Sequence, residues 1–464
     1  MATVKAKPIG TLGNGVVVNT TPKDVPITLK QIIDTPGSLP IAVRILGEPT
    51  DRHLFPYGFP ETCLLIRVMK IPHVPDQSLV YLYISSPPNV TSYYLYNDLS
   101  FLPLDTATSE KLTKECDDYT NKNIGRVAHR FQCTLGTDPE IFAVNDAGEV
   151  VPAWTFLKDK EHASHYNQEE YRGSLYWDGF QAEFSTTSFT CLAFETDCVR
   201  HGLQAVHKAA KKVGAKLTIK NVLPISSEAL ASAAEEHVQF GCARSYNIYG
   251  LTGCLADGRT VPYRFAGGHI HLGNPDIITD ETVRGYISAL DKILGVASVS
   301  LLGFMDDNIR RKFYGLPGEY RRPKWGLEYR VLSNAWLCHP VAMHLVFELA
   351  RAACGLEYFG MMKHWRCDEK EAIEIITNND INMARKVLER NLDTFKQLLY
   401  MTNIFKDSID TLAKVWLSGI DLAVRDVTDL VENWRLDTDW TNHSNSRYKN
   451  WGLAWQQVAA GLKV

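Results

Sequence analysis

The sequence predicts an α+β protein in which helices cover one face of an antiparallel sheet, and three features carry that expectation. The first is hairpin grammar. FQCTLGTDPEIFAV at 131–144 is a strand candidate, the turn Asn145-Asp146-Ala147-Gly148 follows, and EVVPAWTF at 149–156 returns. The second is a set of amphipathic helices between such strands. CLAFETDCVRHGLQAVHKAAKKVG at 191–214 ends on Gly214, a C-cap residue, and DETVRGYISALDKILGVASVSLLG at 280–303 begins near Asp280. The third is the chain after residue 340. AMHLVFELARAACGLEYFGMM, INMARKVLERNLDTFKQLLYM and IDTLAKVWLSGIDLAVRDVTDLVENW all repeat apolar residues at helical three-to-four spacing.

These features divide the chain into four parts. Residues 1–34, rich in Thr, Pro and Gly, read as an extended arm. Residues 35–125 hold short β-branched or aromatic runs, IAVRIL, CLLIRVMK and LVYLYIS, and predict a small β-rich domain. Residues 126–350 form the α+β domain, and 351–464 a helical region. Internal repeats and low-complexity tracts are lacking.

Bulk properties narrow the classes. The 464 residues are 45% hydrophobic and 22% charged, ordinary for a chain with a sizeable core. A net charge of −4 argues against a general nucleic-acid binder, which would carry a basic excess. The first residues, MATVKAKPIGTLGNG, lack the apolar stretch of a secretory signal. No run reaches the roughly 18 apolar residues of a membrane span. Ten cysteines lie scattered with no C-x-x-C pair, which predicts reduced thiols rather than zinc ribbons or a disulfide framework. A cytoplasmic location follows, and the sequon at Asn89 is read as chance. Trp434, Trp440, Trp451 and Trp455 read as core or interface residues.

One pattern recurs four times. In a strand, residues i and i+2 face the same way. Asp138 and Glu140 stand so in GTDPEIFAV, Gln181 and Glu183 in DGFQAEFS, His269 and His271 in FAGGHIHLG, and Glu328 and Arg330 in GLEYRVLS. Each pair interrupts a segment that otherwise reads as buried strand. On a shared sheet they would make a floor of acids, imidazoles and guanidinium, and buried carboxylates are costly unless cations neutralise them. A carboxylate-rich set with imidazole suits magnesium or manganese. Arg310, Arg311, Lys312, Arg321, Arg322 and Lys324 cluster between the last two pairs, and arginine forks suit phosphate or carboxylate. A metal floor beside arginines points to a nucleotide whose γ-phosphate is transferred. Gly267-Gly268 would let a ligand or a neighbouring backbone approach closely.

Singly, each signal has a bland explanation: an ion-paired strand carboxylate, a packed histidine, a solvated arginine run. Their joint occurrence in four strands is harder to explain structurally. A rival use of His269 and His271 is zinc hydrolysis, but the chain offers no further histidines at a matching spacing.

GTDPEIF, DGFQAEF, FGCARSYN, GGHIHLG and GEYRRPKWGLEYRVLSNAWL, in that order, resemble the signature blocks of phage-encoded amidoligases. These are carboxylate–amine ligases of the glutamine synthetase superfamily, which also includes the glutamate–cysteine ligases. The resemblance covers roughly 130 to 345. It implies a curved antiparallel sheet with helices behind it and an active site on the concave face. It implies that Asp138, Glu140, Glu183 and Glu328 hold magnesium, that His269 binds metal and nucleotide phosphate, and that His271 lies beside ATP. Arg330, with one or more of Arg310, Arg311, Arg321 and Arg322, would hold phosphate or acyl-phosphate. Where glutamine synthetase has two glutamates on its first strand, this chain has the shorter Asp138 at one position.

The implied reaction is ATP- and magnesium-dependent amide formation through an acyl-phosphate, with Asp178 as an acceptor for the amine proton. Its partners would be small-molecule or peptide carboxylates and amines, in a homo-oligomer, within the host cytoplasm if the chain is phage-encoded. A non-catalytic viral scaffold is the alternative from another class.

Overall fold

The computed structural model describes residues 133–166, 173–188, 190, 192–238, 245–253, 258–274, 277–399, 409–422 and 426–438, with 10–12, 16–18, 65–67, 80–86, 90–97, 100–103, 124–129 and 131 before them. Most of the arm expected at 1–34, the IAVRIL run, Asn89, residues 240–244 of the FGCARSYN block, and Trp440, Trp451 and Trp455 lie outside the described residues.

Two compact units make up the chain. Residues 1–131 with 355–363 form the first, and 132–354 with 364–464 the second. In the first, Leu65–Arg67, Val80–Ser86, Val90–Asn97 and Ser100–Pro103 pair as a four-stranded antiparallel meander, built from the β-branched and aromatic runs.

The second unit holds every residue singled out above. Its strands are β1 (Thr134–Thr137), β2 (Glu140–Val144), β3 (Val150–Val151), β4 (Ser164–Tyr166), β5 (Gly173–Asp178), β6 (Gln181–Ser185), β7 (Lys216–Thr218), β8 (Val222–Pro224), β9 (Tyr246–Asn247), β10 (Tyr263–Phe265), β11 (Ile270–Gly273), β12 (Glu319–Arg321) and β13 (Gly326–Tyr329). One sheet runs β4-β5-β6-β2-β7, with β3 also on β2; another runs β9-β12-β13-β11-β1; all neighbours are antiparallel.

The α+β class is therefore as expected, but the sheet is not continuous. It breaks between β1 and β2, at Asp138-Pro139. Pro139 has no N–H to donate, so a ladder cannot run through it unbroken. The seam is bonded nonetheless. Glu140 N–H donates to the Gly267 carbonyl at 2.9 Å, Thr186 N–H to Thr137 at 2.9 Å, and Phe184 N–H to Pro139 at 3.4 Å. Asp138 thus sits between sheets, not in a strand.

Helices back both sheets. Leu192–Lys211 lies against β4, β5, β6 and β7. Its buried Val199, Leu203, Val206 and Ala210 recur at helical spacing and form the packed stripe. Gly202 makes this possible, because a Cβ there would run into the Phe184 ring. Behind the second sheet runs Val283–Leu290, a π-helical turn Asp291–Gly295, and Val296–Leu302. The Tyr329 hydroxyl of β13 donates to Asp291 at 2.7 Å and ties sheet to turn. The 283–305 run is apolar and long enough to cross a membrane, but it is a packed core helix, 89% buried over its most apolar window. The C-terminal helices Glu369–Asn378, Ile381–Arg390 and Ile409–Ser418 stack on it. Asp368 and Asp380 cap the first two by accepting from backbone N–H groups. Trp416 and Trp434 are fully buried, and Cys133, Cys198, Cys338 and Cys354 are buried free thiols.

Candidate active site

The seam decides where the polar side chains meet. Glu183 on β6 pairs directly with Glu140 on β2, and Tyr176 on β5 pairs with Glu183. Across the two-residue turn Gly179-Phe180, where Gly179 takes φ +61°, Asp178 pairs with Gln181. Alternation then puts Tyr176, Asp178, Gln181 and Glu183 on one face. In the second sheet, Gly136, His271, Glu328 and Arg321 form one cross-strand row. Two groups of ligand atoms result, each within 4.8 Å: Glu140, Asp178 and Glu183 in one, Asp138, His271 and Glu328 in the other. The pair Asp138 and Glu140 is divided between them.

The first group and Asp138 of the second line a cavity of about 630 Å³. His269, Arg321, Arg330, Tyr176 and Lys160 line it with them. Asp138 Oδ1 meets His269 Nδ1 and His271 Nε2, each at 3.1 Å. A His269 that donates through Nδ1 keeps a lone pair on Nε2. That nitrogen is buried and has no hydrogen-bond partner among the described residues. Gly267 gives it room, since a Cβ there would stand 2.6 Å from His269 Nε2. Glu328 accepts from Arg330 and, at 3.4 Å, from Arg321.

The two groups differ electrically. Burial opposes the Asp138 charge, but the charges and hydrogen bonds of His271 and His269 outweigh it and hold the carboxyl well below its usual range. Glu328 is likewise lowered, burial being outweighed by His269 and Arg330. Glu183 goes the other way, raised well above the carboxylate range by burial and by the charges of Asp138 and Asp178. Burial and the Glu140 charge push Asp178 up to about 7, against Lys160, Arg330 and Arg321. Lys160 Nζ, at 3.9 Å from Glu183, is mostly in solvent and offsets little. The second-sheet group carries its own counter-charge. The Glu140–Asp178–Glu183 group does not, and its chemistry calls for a hard cation with oxygen ligands.

Not every expected residue arrives. Arg310 and Arg311 are buried outside the cavity. Arg310 donates to the carbonyls of Tyr314 and Val331, and Arg311 to those of Gly315 and Val331 and to Asp306. Their forks bond loop carbonyls and Asp306 rather than facing the cavity where the phosphate was expected. Arg322 is also turned away, donating to Asp280 at 2.8 Å and to the Gly326 carbonyl. Arg321 of the run and Arg330 of the last strand pair line the cavity. Asp178, expected to accept a proton, stands among the ligand atoms. Tyr176, Tyr314 and Lys160 were not anticipated. Tyr176 was open to the same i, i+2 reasoning, through Asp178; Tyr314 carries no such mark.

Residues 243–436 match the sequence family described as phage phiEco32-like COOH.NH2 ligase-type 2. That segment is similar to phage-type carboxylate–amine ligases. It contains His269, His271, Arg321, Glu328 and Arg330, and runs on through most of the C-terminal helices. Asp138, Glu140, Asp178 and Glu183, which also line the cavity, precede it. No curated protein matches the chain.

Proposed function

We propose that this chain is an ATP-dependent carboxylate–amine ligase that forms an amide through an acyl-phosphate and requires magnesium or manganese. The observation that carries the reading is the Glu140–Asp178–Glu183 group, short of counter-charge, in one cavity with His269, Arg321 and Arg330. The all-oxygen first group fits a divalent cation, which Glu140, Asp178 and Glu183 would hold; Asp138, His271 and Glu328 lie close enough to hold another, and the orphaned His269 Nε2 offers a further nitrogen beside them. A bound magnesium would neutralise nucleotide phosphates and the charge that develops on the transferring phosphoryl group. Arg321 and Arg330, which line the cavity, would hold the phosphoryl oxygens; Asp178 belongs to the cation group rather than to proton transfer. The substrate carboxylate attacks the γ-phosphate of ATP to give ADP and an acyl-phosphate. An amine then displaces phosphate to give the amide. Small-molecule substrates, a homo-oligomer and a host-cytoplasmic location go with this reading.

A screen of carboxylates and amines for ADP release, followed by mass spectrometry of products, tests it. Glu183→Gln and Glu328→Gln should fold normally and abolish carboxylate-dependent ADP release. Near-normal turnover in either variant would overturn the scheme.

A further inference from the structure

Glu140 and Glu183 stand opposite one another, and each has one carboxylate oxygen already occupied by a phenol. The Tyr314 hydroxyl donates to Glu140 Oε2 at 2.9 Å, and the Gly267 N–H donates to the same oxygen at 2.6 Å. The Tyr176 hydroxyl donates to Glu183 Oε1 at 2.5 Å. The other oxygens, Glu140 Oε1 and Glu183 Oε2, accept no hydrogen bond from the described residues. Glu140 and Glu183 share the close group with Asp178, so those oxygens remain for a cation.

We propose that Tyr176 and Tyr314 are positioning residues that restrict Glu140 and Glu183 to one ligand oxygen each, and so select a small octahedral cation over calcium. Magnesium and manganese accept six ligands at short, regular distances and keep several waters; single carboxylate oxygens suit them. Calcium takes more ligands at longer, looser distances and readily uses both oxygens of a carboxylate. A phenol on the second oxygen removes the bidentate option. It also fixes the carboxylate rotamer, as outer partners do for metal ligands generally. A tyrosine hydroxyl keeps its proton at neutral pH, so both phenols act as O–H donors to the carboxylates. The proposal rests on the reading that this group holds a divalent cation.

Tyr176→Phe and Tyr314→Phe keep the rings. Those rings pack under Lys160 Nζ and under the Arg310 guanidinium, each at 4.8 Å, so the fold loses one hydrogen bond per variant. Full-length protein is titrated with Mn²⁺ and separately with Ca²⁺ by calorimetry, without substrate, with melting temperatures recorded in EDTA. Each variant should lose roughly 10–100-fold in Mn²⁺ affinity and clearly less, or nothing, in Ca²⁺ affinity. Glu183→Gln should remove the Mn²⁺-binding step that the tyrosine variants weaken, which locates that step to this group. Unchanged Mn²⁺ affinity in both variants, or an equal loss for the two cations, overturns the proposal while leaving the ligase reading intact. A wild-type protein that binds neither cation overturns the cation site itself and this proposal with it.

Discussion

Asp178→Asn should stabilise the metal-free protein above neutral pH while removing its divalent-cation response. In the fold the Asp178 carboxyl is pushed from its ordinary 3.8 up to about 7, by burial and by Glu140. The unfolded chain therefore releases this proton near pH 4, while the folded chain keeps it until about 7. Between those values the native state binds more protons, so stability falls as pH rises and levels off above about 7. A shift of about three pKa units corresponds to roughly 4 kcal/mol as a ceiling. Asp178 is partly open to the cavity, and solvent screening reduces this to about 2 kcal/mol. For a unit of more than 300 residues that is roughly 3 °C in melting temperature.

Melts of wild type and Asp178→Asn in EDTA, from about pH 4.5 to about pH 8.5, read the difference directly. The curves should meet near the acid end and diverge in favour of the variant as pH rises through neutrality. Adding Mg²⁺ or Mn²⁺ at about pH 8 should raise wild type and close the gap, because the cation binds only the native state. A variant that melts below wild type at about pH 8 in EDTA would refute the view that these carboxylates repel one another without counter-charge. So would a gap that narrows as pH rises.

Four further substitutions separate architecture from chemistry. Arg310→Lys should lower the melting temperature, by about 2 kcal/mol or more, since lysine cannot reproduce a buried guanidinium on two carbonyls; Arg321→Lys should fold normally and weaken ATP binding in a nucleotide titration. Gly267→Ala puts a Cβ at 2.6 Å from His269 Nε2 and should cut Mn²⁺ affinity by calorimetry, with a smaller change in thermal stability. Gly202→Ala should destabilise by about 1–3 kcal/mol in chemical unfolding, because the helix cannot approach Phe184 as closely; an unchanged midpoint would remove the packing argument.

Much of the site was legible because strand alternation is a local rule. Glu183, His271 and Glu328 each sit in a strand whose neighbours alternate apolar and polar, so facing could be read residue by residue. Amphipathic spacing exposed the 192–211 helix and the C-terminal helices for the same reason. The arginine run was not legible. Charged side chains crowd 310–324 with no alternation to sort them, and it is the Arg321–Glu328 hairpin register that separates Arg321 from Arg322 one residue on. The break at Pro139 could be seen locally, but that it becomes a bonded seam depends on Gly267 and Thr186, far along the chain. Tyr314 illustrates the limit. Its hydroxyl finds Glu140 across 174 residues, and nothing in its own neighbourhood announces that partner.

The family match and the cavity do not coincide, and the mismatch is informative. Residues 243–436 bring His269, His271, Glu328, Arg321 and Arg330, the half of the site that carries its own counter-charge. The half that lacks one, Glu140, Asp178 and Glu183, comes from the preceding hundred residues. The dependence is structural as well as chemical: β1, at 134–137, completes the sheet beside β11, and Asp138 receives both imidazoles. The matched segment alone would have an unpaired β11 edge and two histidines without their carboxylate. Chemistry that needs both the arginines and the crowded carboxylates therefore belongs to the seam, where the chain crosses between sheets at Asp138-Pro139, and to neither sheet by itself.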